Sequence, residues 1–196
     1  MSRSQPDPTA DDGFRAALTT LYADLDAAVQ RFEPVCELSG RCCRFAEYDH
    51  TLFLSEPEAA FLLAEAPTPS RALDGGESCP WQNHAGRCTA RSARPLGCRV
   101  YFCDPGYAPR APALSEEFLG RLKRLVDEHG LAWNYAPLHH HLQRAAADGR
   151  LPSPPPSGHS EPRAPAFGLT LVQTTNTVEP DRRSVPADPA SWRPPT

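Results

Sequence analysis

The sequence predicts a small α-rich domain, stapled by metal through irregular cysteine-bearing loops and followed by a disordered Pro-rich C-terminal tail. Three observations predict it. All seven cysteines lie between Cys36 and Cys103. Apolar residues recur at spacings of three and four in the segments flanking that stretch, the period of a helix with one buried face. Eleven of the 23 prolines fall after Gly149, where sizeable apolar residues are scarce. The expected organisation is a disordered lead over 1–10, one cysteine-cluster domain over 11–150, and the tail over 151–196.

The first helix is expected over 12–33. Asp11 or Asp12 caps it, and Phe14, Leu18, Leu21, Leu25, Val29 and Phe32 form one stripe. Pro34 stops it, because proline lacks the amide proton that continues a helix. Thr51–Leu54 alternates like a short strand. Ser55 followed by Glu58 is a capping box, in which side chain and backbone satisfy each other's end groups, and it opens a helix over 55–66. Residues 67–113 are rich in Gly, Pro, Arg and Cys and show no helical period; Arg99–Phe102 is their one strand-like run. A third helix is expected over 115–129, with Ser115 at its start and Glu116 and Glu117 in the first turn. A fourth is expected over 137–148, opened by Pro137, with Leu138, Leu142 and Ala145 on one face. The tail buries too little apolar surface to offset chain entropy. Within it, Phe167–Val172 is the one candidate extended segment.

Several function classes are excluded by composition. The longest apolar run is six residues, Ala59–Ala64, whereas a membrane-spanning helix needs about 20. The first thirteen residues are polar and acidic, without the apolar core of an export signal. A cytoplasmic location is therefore expected, with no membrane partner. A formal net charge of −4 gives no basic face for bulk nucleic acid. No dinucleotide fingerprint, phosphate loop, nucleophile triad or paired catalytic carboxylates are present.

The cysteines carry the chemistry. Their pattern is Cys36-x5-Cys42-Cys43, then Cys79-x8-Cys88-x9-Cys98-x4-Cys103. Scattered buried thiols would be expected in apolar segments, and these segments are not apolar. A disulfide framework needs an oxidising compartment and an even count. Thiolate ligation of a metal ion fits a cysteine-rich patch and supplies the cross-links that the loop-rich stretch lacks. Zinc or iron, the latter including an iron–sulfur cluster, suits such donors. Seven thiolates exceed the four that one zinc ion or one cubane takes, so either a polynuclear centre or one site with bystander thiols is expected. Neighbouring Cys42 and Cys43 are expected to diverge, and so to serve two ions or two corners of a cluster.

The stretch Cys36-Glu-Leu-Ser39-Gly40-Arg-Cys42-Cys43 resembles the opening of the YkgJ-like cysteine-cluster family, described as a zinc- or iron-chelating domain. Its second half is matched by Cys79-Pro80-Trp81, by Cys88, and by Arg94-Pro95-Leu96-Gly97-Cys98-Arg99-Val100-Tyr101-Phe102-Cys103. The resemblance covers about residues 33–107. It implies metal ligation by Cys36, Cys42, Cys43, Cys79, Cys88, Cys98 and Cys103. Ser39 stands where the family carries a further cysteine, and a hydroxyl is a poor soft-metal ligand. His50 and His84 are the candidates for an additional donor. His139, His140 and His141 point about 100° apart on a helix and are expected to face solvent. Arg94 and Arg99 lie inside the resembling motif and are expected to offset the charge of the bound centre. The expected function is a metal-binding protein holding zinc or an iron centre. The alternative is an oxidoreductase or modifying enzyme that uses an iron–sulfur centre in turnover.

Overall fold

The computed structural model describes residues 11–154. The expected lead over 1–10, most of the expected tail and the Phe167–Val172 segment lie outside the described residues. Within them the chain forms five α-helices and a two-stranded antiparallel sheet. No described helix is long and apolar enough to cross a membrane.

Helix α1 runs Asp12–Gln30, and the Asp11 carboxylate accepts from the Phe14 amide at 2.9 Å to cap it. Phe14, Leu18, Leu21, Leu25 and Val29 are buried as their spacing demands. Phe32 is not: the helix ends before it, and its ring is 44% exposed. Strand β1, Phe53–Ser55, leads directly into α2, Glu56–Glu65. The capping box is complete there: the Ser55 hydroxyl accepts from the Glu58 amide, and the Glu58 carboxylate accepts from the Ser55 amide. Helix α3 is a short turn, Leu96–Val100. It replaces the expected strand character of Arg99–Phe102, because Pro95 opens a helix and the backbone becomes extended only at Tyr101. Helix α4 runs Ala111–Glu128, one turn earlier than Ser115, since Pro112 sits in its first positions and fits a helix start. Glu116 and Glu117 are therefore past the first turn. Strand β2, Tyr135–Pro137, pairs with β1 in the register Phe53↔Pro137, Leu54↔Ala136, Ser55↔Tyr135 and leads into α5, Leu138–Ala147.

Two hydrophobic cores result. The first joins α1, α3 and α4 through Leu18, Leu25, Leu96, Val100, Leu122 and Val126. The second joins β1, α2 and α5 to the loop stretch through Leu54, Leu62, Trp81, Leu138 and Leu142, and it includes Cys43 and Cys79. Phe61 packs against both.

Glu58 ties the two together. It is 1% exposed, and its carboxylate accepts from the Tyr22 hydroxyl at 3.0 Å, the Leu96 amide at 2.9 Å, and the Ser55 amide and hydroxyl at 3.0 and 3.1 Å. One buried acid thus fixes α1, β1 and the start of α3. Burial pushes its pKa up, while the four donors act in the opposite direction.

Candidate metal centre

The two cysteine-bearing segments are held side by side by backbone bonds. The Cys79 amide donates to the Cys43 carbonyl at 2.8 Å, and the Ala46 amide donates to the Glu77 carbonyl at 3.0 Å. Gln82 and Cys88 form an isolated antiparallel bridge that doubles the 79–88 loop back on itself. The Trp81 indole, 2% exposed, donates to the Pro67 carbonyl at 2.7 Å and anchors that loop.

Cys42 and Cys43 lie in a single 3₁₀ turn, Arg41–Cys43, entered through Gly40 at φ 70. A Cβ on Gly40 would stand 2.5 Å from the Gln82 amide nitrogen and 2.5 Å from the Gly86 carbonyl oxygen. Both the left-handed backbone and the close approach of the 79–88 loop therefore require glycine. Leu38, two residues earlier, also has positive φ, at 54, a conformation that costs a side-chain-bearing residue energy. The turn brings the Cys42 and Cys43 sulfurs to 4.0 Å. This corrects the expected divergence of the adjacent pair: tight winding turns both side chains the same way. In a tetrahedral thiolate site with metal–sulfur bonds of about 2.3 Å, ligand sulfurs stand about 3.8 Å apart.

All seven cysteines line one cavity of about 350 Å³. Its remaining wall is mostly apolar, including Leu38, Leu52, Leu62, Trp81, Phe102 and Leu138, with Arg87, Arg91 and Arg94 among its polar groups. Cys43 and Cys79 are buried, Cys42, Cys88, Cys98 and Cys103 are half-buried, and Cys36 is exposed. All seven thiols are free. The Cys42 and Cys43 thiols are within hydrogen-bonding distance of each other. The thiols share a cavity rather than a closed cage: among the described residues no group of three or more His, Cys, Asp or Glu side chains is drawn together to hold an ion.

Charge is unevenly distributed within this group. The neighbouring Cys43 thiol pulls Cys42 down to about 7 and Cys88 to about 6, with Arg94 helping at both and Arg91 at Cys88. Cys43 is pushed far up by its thiol neighbours Cys42, Cys79 and Cys88 and by burial. Cys98 is pushed up by burial and by its thiol neighbours Cys79, Cys42 and Cys88. Thiolate character is thus available beside guanidinium groups before anything binds.

The other candidates separate clearly. The Ser39 hydroxyl lies 3.5 Å from the Cys103 sulfur, within hydrogen-bonding distance of it. His50 does not line the cavity. Its ring stacks on Tyr101 at 5.6 Å, its Nε2 lies 3.5 Å from the Cys42 carbonyl, and its buried Nδ1 has no partner among the described residues. His84 is exposed and lines a separate, more polar groove. Arg94 lines the cavity and donates to the Cys98 carbonyl at 3.3 Å. Arg99 does not line it. Its guanidinium is buried against Asp26 at 2.6 Å, the Arg94 carbonyl at 2.7 Å and the Ser92 carbonyl at 2.7 Å, over the face of Tyr22 at 4.3 Å. Arg99 is a structural clasp between α1 and α3 and not a group facing the thiols.

The expectation for the histidine run needs correcting at one position. His141 is 6% exposed, and its Nε2–H donates to the Leu54 carbonyl at 3.1 Å. The β1–β2 pairing lays α5 against β1, and the helix turn then aims this one histidine inward. Arg87 and Arg91, which like Arg94 lie within four residues of a cysteine and are open to the same charge-offsetting role from sequence, also line the cavity; the nearness of Ser39 to Cys103 has no signal in the sequence. No family model, curated protein or solved structure matches the chain.

Proposed function

We propose that this chain is a metal-binding protein that holds zinc or an iron centre through its clustered cysteine thiolates. The observation that carries the reading is that seven cysteines, spread over two segments 35 residues apart, line a single cavity as free thiols. Soft thiolates are strong ligands for zinc and for iron–sulfur clusters. The spacing that resembles the YkgJ-like family supports the same reading. Arg87, Arg91 and Arg94 would offset the negative charge of the bound centre, and Ser39 would donate to Cys103. The loop stretch has little regular structure of its own, so binding free energy would serve as folding free energy there.

The test is anaerobic purification followed by elemental analysis and an absorption spectrum. Bound zinc or iron at one or more per chain is expected. Metal-free folded protein would refute the proposal. Cys42→Ser and Cys98→Ser are expected to lose metal and to unfold at lower denaturant, whereas Ser39→Ala keeps its metal. A visible spectrum that bleaches on reduction would favour the second reading, an iron–sulfur oxidoreductase.

A further inference from the structure

Cys42 and Cys43 are in contact through their thiols, with the sulfurs 4.0 Å apart. The backbone sets this pair before anything binds. The Cys43 amide donates to the Gly40 carbonyl at 3.1 Å and the Arg44 amide to the Arg41 carbonyl at 3.0 Å, which closes the turn. The Cys43 carbonyl accepts from the Cys79 amide at 2.8 Å, and the Cys42 carbonyl lies 3.5 Å from a His50 ring nitrogen. A side chain at Gly40 would collide with Gln82 and Gly86, so the turn has little room to rewind. Two donors are thus held in place, and ordering them on binding costs little more.

What stands around the pair points to the ion it suits. A four-coordinate zinc ion needs two more donors beside these, and among the described residues no third His, Cys, Asp or Glu is grouped with them to hold an ion. Copper(I) differs: it is a soft ion that selects thiolates, and two of them on opposite sides satisfy it. Two sulfurs so placed stand up to roughly 4.6 Å apart for bonds of about 2.3 Å, and the 4.0 Å of the free pair lies within that reach. The surroundings agree. Cys43 is buried and Cys42 half-buried, and the wall of their cavity is mostly apolar, with Phe45, Leu62 and Trp81 in it. Such a wall keeps water from an ion that disproportionates when hydrated. It also tolerates the single negative charge of a copper(I) bis-thiolate better than the double charge of a four-thiolate zinc site. Arg94, half-buried on the same cavity, has no carboxylate partner among the described residues and supplies one balancing charge.

Resting on the reading of the cavity as a thiolate metal site, we infer that Cys42 and Cys43 form a two-coordinate copper(I) site within it. The other thiols that line the cavity are not ligands of this ion. Each of the two thiols releases its proton to solvent as its sulfur binds. Copper enters and stays in the +1 state, so no oxidant or reductant takes part.

The test is titration of reduced, metal-free full-length protein with copper(I) under nitrogen, against bicinchoninate as competing chelator. X-ray absorption at the copper edge is then recorded at one equivalent. One copper per chain should bind ahead of any further ion, with two sulfur neighbours and the edge feature of a two-coordinate site. Cys42→Ser and Cys43→Ser should each weaken that first copper by more than about 100-fold, beyond the about 10–100-fold that loss of a supporting partner outside the ligand set brings. Cys79→Ser and Cys103→Ser should bind it as the parent does. The spectrum of the parent decides the matter even where a variant fails to fold. Three or four sulfur neighbours at one equivalent overturn the pair, and so does a first copper that Cys42→Ser and Cys43→Ser hold as tightly as the parent. All-or-none loading of several coppers overturns it in favour of a copper–thiolate cluster. Failure to take copper from the chelator, while zinc or iron binds, overturns this inference and leaves the reading above intact. Failure to bind copper, zinc and iron alike overturns both.

Discussion

Gly40 shows how much a single residue without a side chain decides. Its φ of 70 and the 2.5 Å approaches of Gln82 and Gly86 let the first cysteine segment turn and the second close against it. Gly40→Ala meets both problems at once. Strained backbone of this kind costs about 1–3 kcal/mol, and the displaced turn carries Cys42 and Cys43. The variant is expected to unfold at lower denaturant and to bind metal more weakly than the parent; a denaturant midpoint and a competition titration with a chelator check it. Sequence pattern showed that the cysteines belong together, since spacing alone set them apart from buried thiols. It did not show that Cys42 and Cys43 point the same way, because their direction depends on the left-handed entry at Gly40. Nor did it distinguish Arg94 from Arg99. Both lie in one motif, and only the packing of α1 on α3, which brings Asp26 to Arg99 at 2.6 Å, tells them apart.

At the scale of elements, local chemistry was legible and pairing was not. Helix α1 and the capping box of α2 follow from side chains within one or two turns of each other. The β2 strand, three residues ending in proline, carries no signal without its partner β1. Helix α4 starts before the expected Ser115, and its true start has no side-chain cap to mark it. Helix α5 shows what pairing adds, since it buries His141 against the Leu54 carbonyl. Burial lowers the pKa of His141 first; Arg144 and His140 act the same way, while the Leu54 bond and Glu56 oppose. The unfolded chain takes up a proton near pH ~6.5, and the folded chain resists it to lower pH. The contribution of His141 to stability is therefore full above about 6.5 and is lost as pH falls through its lowered folded value. Glu58, with its pKa raised, acts with the opposite sign in the range above about 4.5. His141→Gln is expected to lose less stability than the parent between about pH 7.5 and 5.5. Denaturation of both proteins at the two pH values checks this, and metal release affects both alike.

Over the whole molecule, the two cores have different sources of stability. The α1–α3–α4 core is apolar packing between regular helices, with Leu18, Leu25, Leu122 and Val126 fully buried. The core around the cavity depends on loops whose cross-links, in the proposed function, are metal–sulfur bonds. Removal of metal should loosen one and spare the other. Hydrogen exchange of metal-free and metal-loaded protein is the measurement: amides of residues 41–46 and 79–89 are expected to lose protection on metal removal, while those in α1 and α4 keep theirs. Uniform loss across all helices would show that the cores unfold as one unit. The division was only partly legible in advance. The flanking helical stripes and the unstructured middle were visible in sequence, but the burial of Leu54, Leu138 and Leu142 beneath the cysteine loops depends on contacts between residues more than eighty positions apart.

The pairing of α1 with α4 has a consequence for chain synthesis. α1 is complete once residue 30 has been made, but the helix that covers its apolar stripe ends at residue 128. Ribosomes add about 5–20 residues per second, so roughly 100 residues take about 5–20 s. Through that interval Leu18, Leu25 and their neighbours are exposed on the emerging chain without α4 to cover them. The cysteines are also completed within it, before α4 exists. The nascent chain thus presents its thiols and an open apolar stripe together, and any delay between residues 30 and 128 prolongs the period in which both are available for oxidation or aggregation.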